Sequence, residues 1–102
     1  MYIIAECVYP SDIAKEVAQR YLKAMEKYPD DASLATPTVL GAVRGTLQGI
    51  NVMTIYEPKK GKLEDAYTLA VNRMVMLQEI KGFEYSFRLS YTIIEAMKTI
   101  GM

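Results

Sequence analysis

The sequence contains no histidine and no tryptophan, and it has only one cysteine, Cys7, in 102 residues. A single cysteine excludes an intramolecular disulfide and leaves a cysteine-based zinc or iron–sulfur site without ligands within one chain. A reducing compartment is the simpler reading, and with it a cytoplasmic location. A nucleophilic cysteine would want an imidazole partner, and there is none. Charge of one sign is missing too. Twelve Lys and Arg balance twelve Asp and Glu, which argues against disorder and against a general nucleic-acid footprint. No apolar run approaches the roughly 18 residues of a membrane span. The apolar opening Met1–Tyr9 also lacks the basic region that begins a signal peptide. The expectation is a chain with no metal, no cofactor, no nucleic-acid partner and no membrane partner.

What is present suits one small globular domain over residues 1–102. The apolar share is 51% and the charged share 24%, ordinary values for a packed chain. At this size about 65% of the extended surface is buried on folding, enough for one modest core without staples.

Tyr2 to Tyr9 (YIIAECVY) is β-branched and aromatic and runs into Pro10, so it reads as a strand. With Ser11 offered as N-cap, Ile13, Val17, Tyr21, Met25 and Tyr28 recur at helical spacing until Pro29 breaks the pattern. Ala32 to Pro37 reads as loop. Thr38 to Arg44 and Ile50 to Glu57 are strand-like, and the two glycines in Gly45–Gly49 suit a hairpin with a wide or bulged connection. Leu63, Ala66, Ala70, Met74 and Leu77 predict a second helix, ended by Lys81-Gly82. Phe83, Tyr85, Phe87 and Leu89 alternate with polar residues, the cleanest period-two pattern in the chain. Thr92-Ile93-Ile94-Glu95 matches a capping box and opens a short helix that Gly101 closes.

The order β-α-β-β-α-β plus a C-terminal helix predicts an α+β, ferredoxin-like fold. Its antiparallel four-stranded sheet has the order 4-1-3-2, with both long helices on one face. Ala5 and Cys7 are assigned to the helix side, as are Ile50, Val52, Thr54 and Tyr56. Tyr2, Ile4, Glu6 and Val8 fall on the open side, with Asn51, Met53, Ile55, Glu57, Leu40, Ala42, Arg44, Glu84, Ser86 and Arg88. The apolar middle of that face exceeds what a soluble monomer normally displays. A second copy packing sheet on sheet is the favoured cover, because a helix of about two turns reaches only part of four strands. The chain's own C-terminal helix, through Ile93, Ile94, Met97 and Ile100, is the other candidate.

In this pattern, from YIIAECVY through INVMTIYE to FEYSFRL, the chain resembles the dimeric α+β barrel superfamily, which includes the Dabb and antibiotic-monooxygenase-like families. The resemblance is one of fold, without a specific motif. It implies homodimers paired through their sheets and small organic ligands bound between sheet and helices. Members with oxygen or haem chemistry use His, Trp and Asn, so no catalytic residue carries over.

Glu6 is the residue of most chemical interest, since a carboxylate mid-way along a central strand must be desolvated, paired or set beside a cavity. It is the candidate acid or base, with Arg44, Asn51 and Arg88 as candidate ligand-binding groups. The plainer alternative is a structural ion pair at a dimer interface. Most of the eight tyrosines read as core or interface filling, and Met74, Met76 and Met97 as core fillers rather than metal ligands. Cys7 reads as a buried, inert thiol. Pro58-Lys59-Lys60-Gly61-Lys62 lacks P-loop spacing, and the third strand lacks the exposed aromatics of an RNA-recognition sheet. The reading that emerges is a homodimeric small-molecule-binding or regulatory domain with a small hydrophobic ligand. The alternative is a cofactor-free enzyme of isomerase or oxygenase type that uses Glu6.

Overall fold

The computed structural model describes all residues, 1–102. β1 (Tyr2–Tyr9), α1 (Ala14–Lys27), β2 (Ala35–Thr46), β3 (Gly49–Pro58), α2 (Leu63–Val75), β4 (Glu84–Ser90) and α3 (Ile93–Lys98) follow in that order. The strands form one antiparallel sheet in the order β2-β3-β1-β4, which is 4-1-3-2 when read from the β4 edge.

Side-chain alternation on β1 divides the sheet's two faces. Ile3, Ala5 and Cys7 are buried at 0, 3 and 8% exposure, whereas Tyr2, Ile4, Glu6 and Val8 stay partly exposed. Cross-strand pairs carry the division outward: Cys7 faces Val52 and Tyr85, while Glu6 faces Met53 and Ser86. The small Ala5 and Cys7 let the helices approach. Val17 and Ala24 of α1 join Cys7, Leu77, Ile80 and Phe83 in the core.

Several boundaries differ from the sequence expectation. Ser11 makes no side-chain cap; Ser11–Ile13 is a 3-10 turn that leads into α1. The helical stripe is narrower than predicted, since Tyr21 is 43% exposed and Ala24 takes the buried position. α2 stops at Val75, ahead of Lys81-Gly82. Beyond it, Leu77, Ile80 and Phe83 donate backbone bonds to Met74, Leu77 and Ile80. Those three-residue steps bring Leu77, Ile80 and Phe83 to the same side, and all three are buried.

β2 begins at Ala35, inside the expected loop, because Lys59 N–H donates to the Leu34 carbonyl and draws the segment onto the β3 edge. The hairpin connection is also tighter than expected. Thr46 pairs with Gly49, so only Leu47 and Gln48 form the turn. Gly49 has φ +125°, and a Cβ there would lie 2.2 Å from the Tyr9 carbonyl oxygen.

β2 is irregular in a way that alternation does not reveal. A step from Val39 to Ala42 faces a step from Ile55 only to Met53. The extra residue in this bulge reverses the parity. Leu40, expected on the open side, therefore turns to the helix side, and Val39 takes the open side. Ala42 and Arg44 stay on the open side, opposite Met53 and Asn51.

α3 has the predicted capping box: Glu95 N–H donates to Thr92 Oγ1 at 3.2 Å, and Thr92 N–H donates to Glu95 Oε1 at 2.9 Å. It does not cover the sheet as the second candidate required. Ile93, Ile94 and Ile100 are 75, 64 and 73% exposed. The result is a slab of 49 × 31 × 17 Å, with α1 and α2 packed on the Cys7 side of the sheet.

Candidate functional site

Two surfaces carry the residues of interest, one on each face of the sheet. On the helix side, α1 and α2 bury the middle of β1 but leave Leu40 and Val43 of β2 72 and 67% exposed. Between that strand and α1 lies an apolar cleft of about 270 Å³, lined among others by Cys7, Tyr9, Val17, Tyr21, Val52 and Phe83. The β2 bulge adds Leu40 to the same wall. The Tyr9 and Phe83 rings stack with centroids 6.1 Å apart and planes 18° from parallel, a rigid aromatic end to the cleft. Burial pushes the Cys7 thiol up to about 11, and burial also raises Tyr9. At neutral pH both are therefore uncharged, and the cleft offers shape and apolar area with no formal charge of its own.

On the open face, the four residues singled out from sequence form two pairs, not one cluster. Arg88 Nη1 donates to Glu6 Oε1 at 3.5 Å, with side chains 52 and 26% exposed. Arg44 Nε donates to Asn51 Oδ1 at 3.3 Å, and Asn51 Nδ2 donates to the Cys7 carbonyl at 3.4 Å. Glu6 thus pairs with Arg88 and not with Arg44. Glu6 and Asn51 share the rim of a shallow depression of about 180 Å³ with Glu84 and Ser86. No three His, Cys, Asp or Glu side chains converge in a group that would hold a metal ion. No helix is long and apolar enough to cross a membrane.

A third cluster was not singled out from the sequence. Arg73 is 5% exposed. Its Nε donates to the Tyr28 carbonyl at 2.7 Å, Nη1 to Tyr56 Oη at 3.2 Å and Nη2 to Asp30 Oδ1 at 2.8 Å. Burial raises the Tyr56 phenol, and the adjacent guanidinium opposes that shift. The space beside this node is only about 20 Å³, room for a water and no larger ligand. The node joins the end of α1, β3 and α2. Its signal was present in the sequence: Arg73 follows Ala66 and Ala70 at seven and three residues, on the buried face of α2.

No family model matches the sequence, and no curated protein matches it. Among solved structures the chain is similar to a formyltetrahydrofolate deformylase from Pseudomonas putida KT2440, at 12% identity and a TM-score of 0.40. That likeness covers 87% of this chain and 28% of the other, so the chain spans less than a third of that protein.

Proposed function

We propose that this chain is the subunit of a homodimer of ferredoxin-like protomers, joined through their open sheet faces as in the dimeric α+β barrels. Each protomer binds a small, uncharged apolar molecule in the cleft between α1 and β2. The observation that carries the binding role is the cleft itself. At about 270 Å³ it lies at the small end of ligand pockets, and it is apolar with one aromatic end. A single-ring or short branched compound fits its volume.

Surface area supports the assembly. The folded chain exposes 6854 Å², against about 5,800 Å² for a monomer of this mass. The excess, roughly 1,000 Å², matches the ~800 Å² that each partner buries in a standard interface. The radius of gyration, 14.8 Å, likewise exceeds the ~13 Å of a compact domain of this length.

Light scattering across a wide concentration range tests the assembly, and a fluorescent apolar probe titrated into the dimer tests the cleft. A mass of twice 11.5 kDa is expected, falling to the monomer in Met53→Lys. Ala18 is exposed and lines the cleft mouth, so Ala18→Phe fills it; probe affinity drops about tenfold while mass and helix content stay unchanged. Unaltered probe binding in Ala18→Phe would sink the binding role.

The depression beside Glu6 favours a second reading, a cofactor-free enzyme of isomerase or oxygenase type. In it Glu6 is the acid or base, and Arg88, Arg44 and Asn51 hold a polar group of the substrate. Pairing of the sheets would enclose that depression. Glu6→Gln separates the two readings: ligand binding lost with the dimer intact favours chemistry at Glu6, and a weakened dimer alone favours a structural ion pair.

A further inference from the structure

We propose that the β2 bulge gives the apolar cleft a polar handle, the Thr54 hydroxyl beside the Leu40 carbonyl, which selects a small alcohol or phenol as ligand. The inference rests on the cleft-binding reading above and names the class of molecule bound there. Where β2 steps from Val39 to Ala42 against Ile55 to Met53, the two residues Leu40 and Gly41 face the single residue Thr54. All three line the cleft.

Thr54 Oγ1 donates to the Leu40 carbonyl at 3.5 Å. Ordinary hydroxyl-to-oxygen bonds run from about 2.5 to 3.0 Å, so this contact is stretched. A ligand oxygen can stand about 2.8 Å from both atoms of so long a pair. There it accepts from the Thr54 hydroxyl and donates its own proton to the Leu40 carbonyl, in place of the weak direct bond. Gly41 keeps the strand backbone open beside them, since a Cβ there would meet only Val52 Cγ1 within 4 Å, at 3.9 Å.

The pair discriminates by chemistry. A hydroxyl group both donates and accepts, so it satisfies Thr54 and Leu40 at once. A carboxylate only accepts, and it would set its charge against the Leu40 carbonyl oxygen. Neither a carboxylate nor an ammonium finds a counter-charge, because no Lys, Arg, Asp or Glu lines the cleft and Cys7 and Tyr9 are uncharged at neutral pH. A hydrocarbon fits the walls but leaves the pair unused. Apolar walls closed by the Tyr9–Phe83 stack, with a few placed polar atoms, are the usual make-up of a small-molecule site.

Phenol and toluene have nearly the same shape and differ at this one group, so they serve as the probes. Each is titrated into the full chain and followed by the 13C methyl shifts of Val17, Val43 and Val52. Thr54→Val keeps the branched shape on the strand and removes the hydroxyl, and circular dichroism verifies the fold. In this variant the phenol dissociation constant is expected to rise about fivefold, the weight of one hydrogen bond, while that of toluene stays within about twofold. Phenol affinity that is unchanged, or that falls together with that of toluene, overturns the polar pair and leaves the apolar cleft standing. A loss for phenol in Tyr9→Phe with none in Thr54→Val assigns the contact to the Tyr9 hydroxyl and overturns the pair as well. If neither probe shifts the cleft methyl groups, the cleft reading and this inference fall together.

Discussion

Arg73 Nε donates to the Tyr28 carbonyl at 2.7 Å, from a side chain that is 5% exposed. The chain breaks from α1 at that carbonyl, so one guanidinium closes α1 against α2. Arg73→Ala leaves the Tyr28 carbonyl and the Tyr56 hydroxyl without this donor. A loss of about 3 kcal/mol is expected from urea unfolding, because two part-buried acceptors lose their donor. Asp30→Asn keeps an oxygen that can accept from Nη2 but leaves the guanidinium, 6% exposed, without its counter-charge, and a loss of about 2 kcal/mol is expected.

Gly49 and Gly45 flank the same hairpin and should behave oppositely. A Cβ at Gly49 meets the Tyr9 carbonyl oxygen at 2.2 Å with φ at +125°, while at Gly45 it meets nothing within 4 Å. Gly49→Ala should cost more than about 2 kcal/mol, whereas Gly45→Ala should be neutral or stabilising by up to ~1 kcal/mol. Paired thermal melts of the two variants check this.

The Cys7 thiol is the chain's one thiol and sits in the core beside the cleft. Burial raises it from 9.0 to about 11, so its thiolate fraction at neutral pH is about 100-fold lower than in the unfolded chain. Alkylation by iodoacetamide should therefore slow by at least that factor on folding. Equal rates in buffer and in urea would mean that the β1 core is open in solution.

Glu95 is drawn down to about 2 from 4.5, first by its bond to the Met1 ammonium and next by the Thr92 N–H. A carboxylate with a depressed folded value stabilises the fold above its unfolded value and loses that contribution as pH falls toward the folded one. The α3 anchor should therefore hold above pH 4.5 and weaken progressively toward pH 2. The Thr92 amide resonance should report this titration, and Glu95→Gln should abolish it.

Local pattern was enough for the element order, the faces of β1, β3 and β4, and the α3 cap, because each depends on residues within one turn or one pleat. The burial of Cys7 was legible for the same reason: it shares the parity of Ile3 and Ala5 along β1. Glu6 was legible as a residue of interest but not in its partner. Arg44 and Arg88 both lie on the open face, and only the strand pairing brings Arg88 to Glu6 and Arg44 to Asn51.

Sequence by itself determined the order of the strands and helices and the apolar side of β1, β3 and β4, since periodicity and capping act within a few residues. Tertiary structure alone decided the rest. Leu40 entered the cleft wall because pairing with β3 forces a bulge into β2, and period-two alternation cannot anticipate an inserted residue. Arg73 became the joint of α1, β3 and α2 because a carbonyl, a phenol and a carboxylate from distant segments converge on it. Met1 meets Glu95 because β1 and β4 pair side by side, with Tyr2 opposite Ser90, a contact that no local pattern reveals.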